Sequence, residues 1–240
     1  MITKNIILLH GWTYKKKKLS SLARKLANKG FKVFFPTLPG FGSEKLKRAW
    51  TLDDYVAWLR NFILKNKIEK MNLVGHSFGG QIAVKFALLY PTKVESLVLI
   101  SAAVVRRKPS LHRKFIIFTS KAFGSIFKCF PFNAFYEEVR FLIYKLVGEA
   151  DYYKAYPFLQ KTMVNVLSEN LEKDLSRISL PTLILWGKKD KTTRLKIARI
   201  AKKKIPYSKL VIFKKANHAL PYNQASEVAE EIVNFVKNQK

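Results

Sequence analysis

The stretch Asn72-Leu73-Val74-Gly75-His76-Ser77-Phe78-Gly79-Gly80 decides the fold. Met71 to Val74 is apolar and reads as a strand. Gln81-Ile82-Ala83-Val84, with Phe86-Ala87-Leu88-Leu89, predicts a helix over Phe78 to Tyr90. Between them Ser77 stands on a turn, with Gly75 and Gly79 two residues to either side. A serine on a sharp strand-to-helix turn needs those flanks, because a side chain there would run into the neighbouring strand or helix. The turn also sets Ser77 at a helix N-terminus, where free backbone N–H groups favour a developing negative charge. A short glycine pattern recurs by chance; the strand before it and the helix after it give this one its meaning.

Outward from that turn, strands and helices alternate. Asn5 to Leu9 is a continuous apolar run, as in a buried parallel strand, and His10-Gly11-Trp12 follows it. Leu19 to Asn28 carries apolar residues at helical spacing, with Gly30 as its stop. Phe31 to Phe35 is the next strand, and Pro36-Thr37-Leu38-Pro39-Gly40-Phe41-Gly42-Ser43 is a loop by its Pro and Gly content. Thr51 is the candidate N-cap of a helix whose first turn holds Asp53 and Asp54. Val94 to Ile100 is another strand. The alternation implies an α/β architecture: a mostly parallel central sheet with helices on both faces. Active sites of such sheets form at the carboxyl ends of the strands. His10, Ser77 and Ser101 all fall at that edge.

After Ala103 the strands stop. The stretch to Ser176 is aromatic, basic and helical in pattern, with helices expected over Leu111 to Phe123, Phe132 to Val147 and Tyr152 to Glu169. We read residues 104–176 as a helical cap inserted over the strand ends, with 1–103 and 177–240 as the two parts of the core. Alternation resumes with a strand ending at Trp186-Gly187, a helix near Arg194 to Lys204, a strand over Lys209 to Phe213 and a closing helix over Gln224 to Asn238.

The chain of 240 residues carries 45 Lys and Arg against 16 Asp and Glu, a formal charge of +29. Such a field attracts anionic surfaces, nucleic acid or acidic lipid, while scatter of lysine through every segment fits compositional bias on solvated faces. No recognised nucleic-acid module appears, so no specific nucleic-acid partner is expected. Cys129 is the single cysteine, which excludes an intrachain disulfide and fits a reducing compartment. The first residues show no signal-peptide pattern, and no apolar run approaches the ~20 residues that span a bilayer. A cytoplasmic location is the expectation.

A serine needs a general base to attack a carbonyl at neutral pH. Of four histidines, His76 adjoins Ser77 and should point away from the turn, and His112 lies in the insertion. His10 fits a structural role in its loop. His218, in the loop after the last strand, is placed to reach Ser77. The base needs an acid to fix its tautomer, and Asp190, just after a strand, is the choice over Asp151 and Asp174 in the insertion and over the helix-capping Asp53 and Asp54. The backbone N–H groups of Phe78 and Trp12 are placed to form an oxyanion hole. His10, His76, Phe115 and Phe118 are candidate pocket residues. No cofactor is implied, and no His/Cys cluster has metal-ligand spacing.

These segments resemble the α/β-hydrolase superfamily, in particular its small carboxylesterase-like members with a helical cap. The resemblance covers most of the chain: His10-Gly11-Trp12, Pro39-Gly40-Phe41-Gly42-Ser43, Gly75-His76-Ser77-Phe78-Gly79-Gly80, Trp186-Gly187-Lys188-Lys189-Asp190 and Asn217-His218. It implies a Ser77, Asp190, His218 triad in the chain order this fold uses. One departure is Lys188-Lys189 before the acid and Lys191-Thr192-Thr193 after it, where relatives often carry an apolar residue and Pro. The resemblance extends to esterases, lipases, lactonases, carbon–carbon bond hydrolases and proline iminopeptidases; Ser77 argues against members with an Asp nucleophile. The expected activity is hydrolysis of carboxylic esters or lactones through an acyl-enzyme, on a small molecule with an apolar acyl group. Amide, peptide or carbon–carbon bonds are the alternatives. A second class of reading is a membrane-surface or polyanion-binding protein on a hydrolase scaffold, with peripheral association to anionic membranes. Its basis is the charge and the basic, aromatic stretch Leu111 to Phe135.

Overall fold

The computed structural model describes residues 4–12, 19–43, 45–105 and 155–239. The expected helices over Leu111 to Phe123 and Phe132 to Val147 lie outside these, as do His112, Phe115, Phe118, Cys129 and Asp151.

Six strands form one parallel sheet: β1 (Asn5–Leu9), β2 (Lys32–Phe34), β3 (Met71–His76), β4 (Val94–Ile100), β5 (Thr182–Gly187) and β6 (Ser208–Phe213). Their order is β2-β1-β3-β4-β5-β6. The chain moves from β1 outward to β2, then returns to the other side of β1 for β3. The loops leaving β1 and β3 therefore diverge, and a crevice opens at their carboxyl ends.

The helices are α1 (Ser20–Ala27), α2 (Leu52–Lys65), α3 (Phe78–Leu89), α4 (Pro157–Ser168), α5 (Leu195–Lys204), α6 (Leu220–Asn223) and α7 (Ala225–Lys237). Side chains of the central strands alternate between two cores. Ile6, Leu8, Val74, Val98, Leu183 and Leu185 meet α1 and α7 through Leu22, Leu26, Val228 and Ile232. Ile7, Leu9, Leu73, Leu97, Leu99 and Ile184 meet α2, α3 and α5 through Leu59, Ile82 and Ala198. A sheet covered on both faces explains why its strands read as continuous apolar runs. Thr51 caps α2 as expected: its side chain accepts from Asp54 N–H while the Asp54 carboxylate accepts from Thr51 N–H.

The expected helix Tyr152 to Glu169 is realised over Pro157–Ser168, starting where Pro157 suits a first helical turn. Helix α4 is tied to the core by polar bonds. Leu46 N–H donates to Tyr156 Oη at 2.6 Å and Trp50 N–H to Thr162 Oγ1 at 2.8 Å. Gln81 Nε2 donates to the Val166 carbonyl at 3.0 Å, and Lys85 Nζ lies 2.6 Å from Glu169 Oε1. Among the described residues no helix is long and apolar enough to cross a membrane.

Candidate active site

Ser77 has φ 53° and ψ −113°, a conformation that a side-chain-bearing residue adopts only under constraint. Such a backbone costs about 1–3 kcal/mol, offset by the packing around it. A Cβ on Gly75 would collide with the Gly79 carbonyl, and one on Gly79 with the Leu9 carbonyl. The turn is therefore pressed against β1, and only hydrogens fit. Ser77 N–H donates to the Ile100 carbonyl at 3.0 Å, and the Ser77 carbonyl accepts from Ala103 N–H at 3.0 Å. The side chain is left at the carboxyl edge, at the head of α3.

Two loops from the far side of the sheet meet it there. They run side by side: Lys188 N–H donates to the Phe213 carbonyl and Lys189 N–H to the Ala216 carbonyl. The first carries Asp190, the second His218. His218 Nε2 lies 3.1 Å from Ser77 Oγ, and His218 Nδ1 lies 2.8 Å from Asp190 Oδ2. With its Nδ1 hydrogen donated to the carboxylate, the imidazole offers a free lone pair to the Ser77 hydroxyl. This arrangement can withdraw a proton from Ser77 and hold the resulting cation against Asp190.

Asp190 is 4% exposed and accepts from several donors. Thr192 and Thr193 N–H donate to Oδ1 at 2.9 and 2.8 Å. Thr193 Oγ1 lies 2.8 Å from Oδ2, 3.0 Å from the Ser101 carbonyl and 3.2 Å from His218 Nδ1. Burial pushes the carboxyl up; the bonds and charge of His218 and the Thr193 donors outweigh it and hold it below the ordinary aspartate value. Trp186 Nε1 donates to the Thr193 carbonyl at 2.7 Å, anchoring this loop to its strand. Sequence reasoning noted Lys191-Thr192-Thr193 only as a departure; here both threonines hold the acid.

Other acids have other partners. Asp54 pairs with Arg48, Asp53 with Lys85, and Asp174 with Arg177.

His10 and His76, expected among the pocket residues, are each held by bonds to neighbouring loops. His10 is fully buried; its Nε2 accepts from Leu38 N–H at 2.9 Å, and its Nδ1 donates to the Gly11 carbonyl at 2.7 Å. It ties the loop after β1 to the loop after β2. His76 is 2% exposed; its Nε2 donates to the His218 carbonyl at 3.1 Å, and its Nδ1 accepts from Tyr222 Oη at 3.2 Å. Burial, and then the nearby His218, push His76 down to about 3. It is a neutral strut beneath the His218 loop. Burial pushes the Tyr222 hydroxyl up to about 12, so it stays a donor. Phe115 and Phe118 lie outside the described residues.

Phe78 is the first residue of α3, so its N–H has no acceptor within the helix. The loop after β1 touches the Ser77 turn: a Cβ on Gly11 would lie 3.1 Å from Ser77 Cβ. Trp12 follows directly, its ring 4.9 Å from that of Phe41 and 5.3 Å from that of Phe78. Tyr55 adds a ring 4.9 Å from Phe78. The side of the turn facing α2 is thus walled by aromatic edges. Among the described residues no group of three or more His, Cys, Asp or Glu could hold a metal ion.

Known proteins carry the same architecture. The family model for hydrolases described as "Serine aminopeptidase, S33" matches residues 2–224. The AB hydrolase superfamily protein YisY of Bacillus subtilis is 27% identical over 248 residues, covering 96% of this chain and 90% of that protein. Lipase 1 of Psychrobacter immobilis is 23% identical over 242 residues, covering 96% of this chain and 76% of the lipase. The esterase EaEST from Exiguobacterium antarcticum superposes with a TM-score of 0.74 at 22% identity, covering 98% of this chain and 92% of that one. A family match over nearly the whole chain, on a parallel sheet with a serine at the sharp turn after its third strand, places the protein: it belongs to the serine aminopeptidase S33 family of α/β-hydrolases.

Proposed function

We propose that the protein is a serine hydrolase that cleaves carboxylic esters, lactones included, through an acyl-enzyme. The observation that carries this reading is the pair of contacts made by His218, one to Ser77 Oγ at 3.1 Å and one to Asp190 Oδ2 at 2.8 Å. In the reaction His218 takes the Ser77 proton as Oγ attacks the acyl carbonyl. Phe78 and Trp12 N–H groups stabilise the oxyanion, and the imidazolium returns its proton to the leaving alcohol. Water then enters, with His218 again as base, and releases the acid. The aromatic wall of Trp12, Phe41, Tyr55 and Phe78 supports an apolar acyl group, since apolar walls are the usual lining of such sites. In this reading the cap expected over residues 104–176 covers the site, and α4 is its returning helix. The site is expected to work in the cytoplasm, without cofactor.

The description of the matched family favours a second reading, release of an amino-terminal residue from a peptide. A chromogenic panel of esters of graded acyl length, a lactone and an aminoacyl amide decides between them. Ester turnover should exceed amide turnover and peak broadly at short to medium chains, because each methylene is worth only about 1–3 kcal/mol in such a pocket. Ser77→Ala should fall at least about 10⁴-fold with the fold retained. Unchanged turnover in that variant would remove the nucleophile assignment, and faster amide turnover would replace the ester reading with the peptidase one.

A further inference from the structure

The two loops that bring Asp190 and His218 together are cationic. From Gly187 to Ala216 the chain holds twelve Lys and Arg and one acid, and that acid is the buried Asp190. Lys188, Lys189, Lys191 and Arg194 lie on the loop after β5, and Lys214 and Lys215 on the loop after β6; all six are exposed. Backbone bonds from Lys188 and Lys189 to the Phe213 and Ala216 carbonyls hold the two loops together at the carboxyl edge. Among the described residues no acid other than Asp190 lies on these two loops. Glu227, Glu230 and Glu231 ride on α7, which packs beneath the opposite face from α5. The acids at the end of α4 each have a cation: Glu169 shares Lys85 with Asp53, Glu172 lies 3.9 Å from Lys204, and Asp174 pairs with Arg177.

A second observation comes from α4. Its inner side buries Leu159, Thr162 and Val166. Its outer side carries apolar residues as well: Phe158, Val164 and Leu167 are 41%, 54% and 38% exposed, beside Lys161 and Ser168. A solvated helix would place polar residues there. Gln81, in the first turn of α3, donates to the Val166 carbonyl, so this end of α4 lies at the same carboxyl edge as Ser77. Nearer β2, Lys45, Lys47 and Arg48 line a cleft of about 740 Å³ beside Trp50 and Trp58, on the loop that α4 holds.

We infer that this edge docks on an anionic lipid bilayer, with the outer stripe of α4 entering the headgroup layer and the cationic loops after β5 and β6 facing the lipid phosphates. Apolar side chains on a helix flanked by cations are the combination that holds a protein in a bilayer interface. Each Lys or Arg close to an anionic surface contributes about 1 kcal/mol and acts within a Debye length, so a spread of single lysines suits a diffuse charged plane. Nucleic acid fits less well, because Lys188 to Arg194 and Lys214 to Asn217 contain no aromatic side chain on which a base could stack. Docking deepens the serine-hydrolase reading by naming its substrate class: an ester presented at a membrane surface. The docking itself does not rest on that reading.

Vesicle sedimentation tests it without any turnover. The native chain is spun with vesicles of phosphatidylcholine and phosphatidylglycerol in equal parts, and with phosphatidylcholine alone, at about 0.05 M and about 0.5 M salt. Three variants follow. One carries Lys188→Gln, Lys189→Gln, Lys191→Gln, Lys214→Gln and Lys215→Gln. A second carries Val164→Asp and Leu167→Asp. A control removes the same charge from the amino edge and the end of α7 through Lys29→Gln, Lys65→Gln, Lys70→Gln, Lys93→Gln and Lys237→Gln. Circular dichroism melting verifies that each folds. The native chain should partition to the anionic vesicles only, and lose this at high salt. The loop and stripe variants should each lose at least tenfold in partition coefficient, and the control should stay within twofold of native. Absence of partition overturns the proposal, as does equal loss in loop variant and control, or binding to a single-stranded oligonucleotide without binding to vesicles. Ser77→Ala should sediment like the native chain, which separates a failed docking surface from a failed nucleophile assignment.

Discussion

The turn from Gly75 to Gly80 and the loop from Gly187 to Thr193 bring two halves of one site together by different physics. At the first, sterics act: Gly75 and Gly79 have no room for a Cβ, and Ser77 is held at a positive φ by the backbone pressed around it. At the second, hydrogen bonds act: four donors, from Thr192, Thr193 and His218, converge on one buried carboxylate. A steric constraint admits one residue type and leaves a fixed pattern in the sequence. A hydrogen-bonded constraint can be met by many residues. The acid itself is recognisable, while the groups that hold it are not.

The comparison breaks most visibly at Asp190. Asp190→Asn should lower kcat/KM by about 10³–10⁴-fold while the protein stays folded, because an amide presents a hydrogen to His218 and favours the wrong tautomer. Asp174→Asn should be near neutral, since that carboxylate serves only its Arg177 pair. Parallel kinetics on the two variants decide; a greater loss at Asp174 would move the acid. Gly79→Ala tests the steric half. Its methyl would meet the Leu9 carbonyl, so the turn or β1 must shift. A loss of about 3 kcal/mol or more is expected in chemical denaturation, comparable to overpacking a core at its costly end. A change under about 1 kcal/mol would mean that the turn is not pressed as tightly as the structure has it.

How much was legible follows from the same contrast. All six strands were readable because a sheet buried on both faces needs apolar runs such as Ile6 to Leu9. That Ser77, Asp190 and His218 meet was readable because each follows a strand that ends at one edge. The supports of the site were not. Nothing around Tyr222 marks it as a donor to His76, since the two are 146 residues apart and meet only through the packing of α6. Lys85, Gln81 and Glu169 look like surface residues until α4 is laid against α3. The partners of His76 were hidden for the same reason: the sequence places it beside Ser77 and says nothing of the His218 carbonyl it meets.

That strut has a pH signature. His76 lies at about 3 in the folded chain against an ordinary value of 6.5, so the unfolded chain binds an extra proton between those values. Stability contributed by the neutral ring is complete above the unfolded value and is lost as pH falls toward 3, at a limit of about 4–5 kcal/mol. His76→Gln keeps a donor for the His218 carbonyl and cannot titrate. It should cost about 1–2 kcal/mol near pH 8 and flatten the dependence of stability on pH between about 6 and 4. Denaturation at several pH values measures this. Equal slopes for both proteins would show that His76 does not stay neutral in the folded state.

The smallest effect sharpens the comparison most, because it falls on a hydroxyl. Thr193 Oγ1 carries one hydrogen, and two acceptors stand ready for it, Asp190 Oδ2 at 2.8 Å and the Ser101 carbonyl at 3.0 Å. Its backbone N–H holds Oδ1 independently and survives any substitution except proline. Thr193→Val therefore removes only the hydroxyl and keeps the shape of a side chain that is 5% exposed. With one donor fewer, the carboxylate holds protons more tightly, so the acidic limb of the kcat/KM profile moves to higher pH. A loss of about tenfold is expected near neutrality, the size of one hydrogen bond to a charged group. Thr193→Ser, which restores the oxygen, should recover most of the rate and return the limb. A role in packing alone predicts something different: both variants would lower the melting temperature, and neither would move the limb. The pH profile, measured on native, Val and Ser proteins side by side, separates a residue that positions the acid from one that only fills the loop.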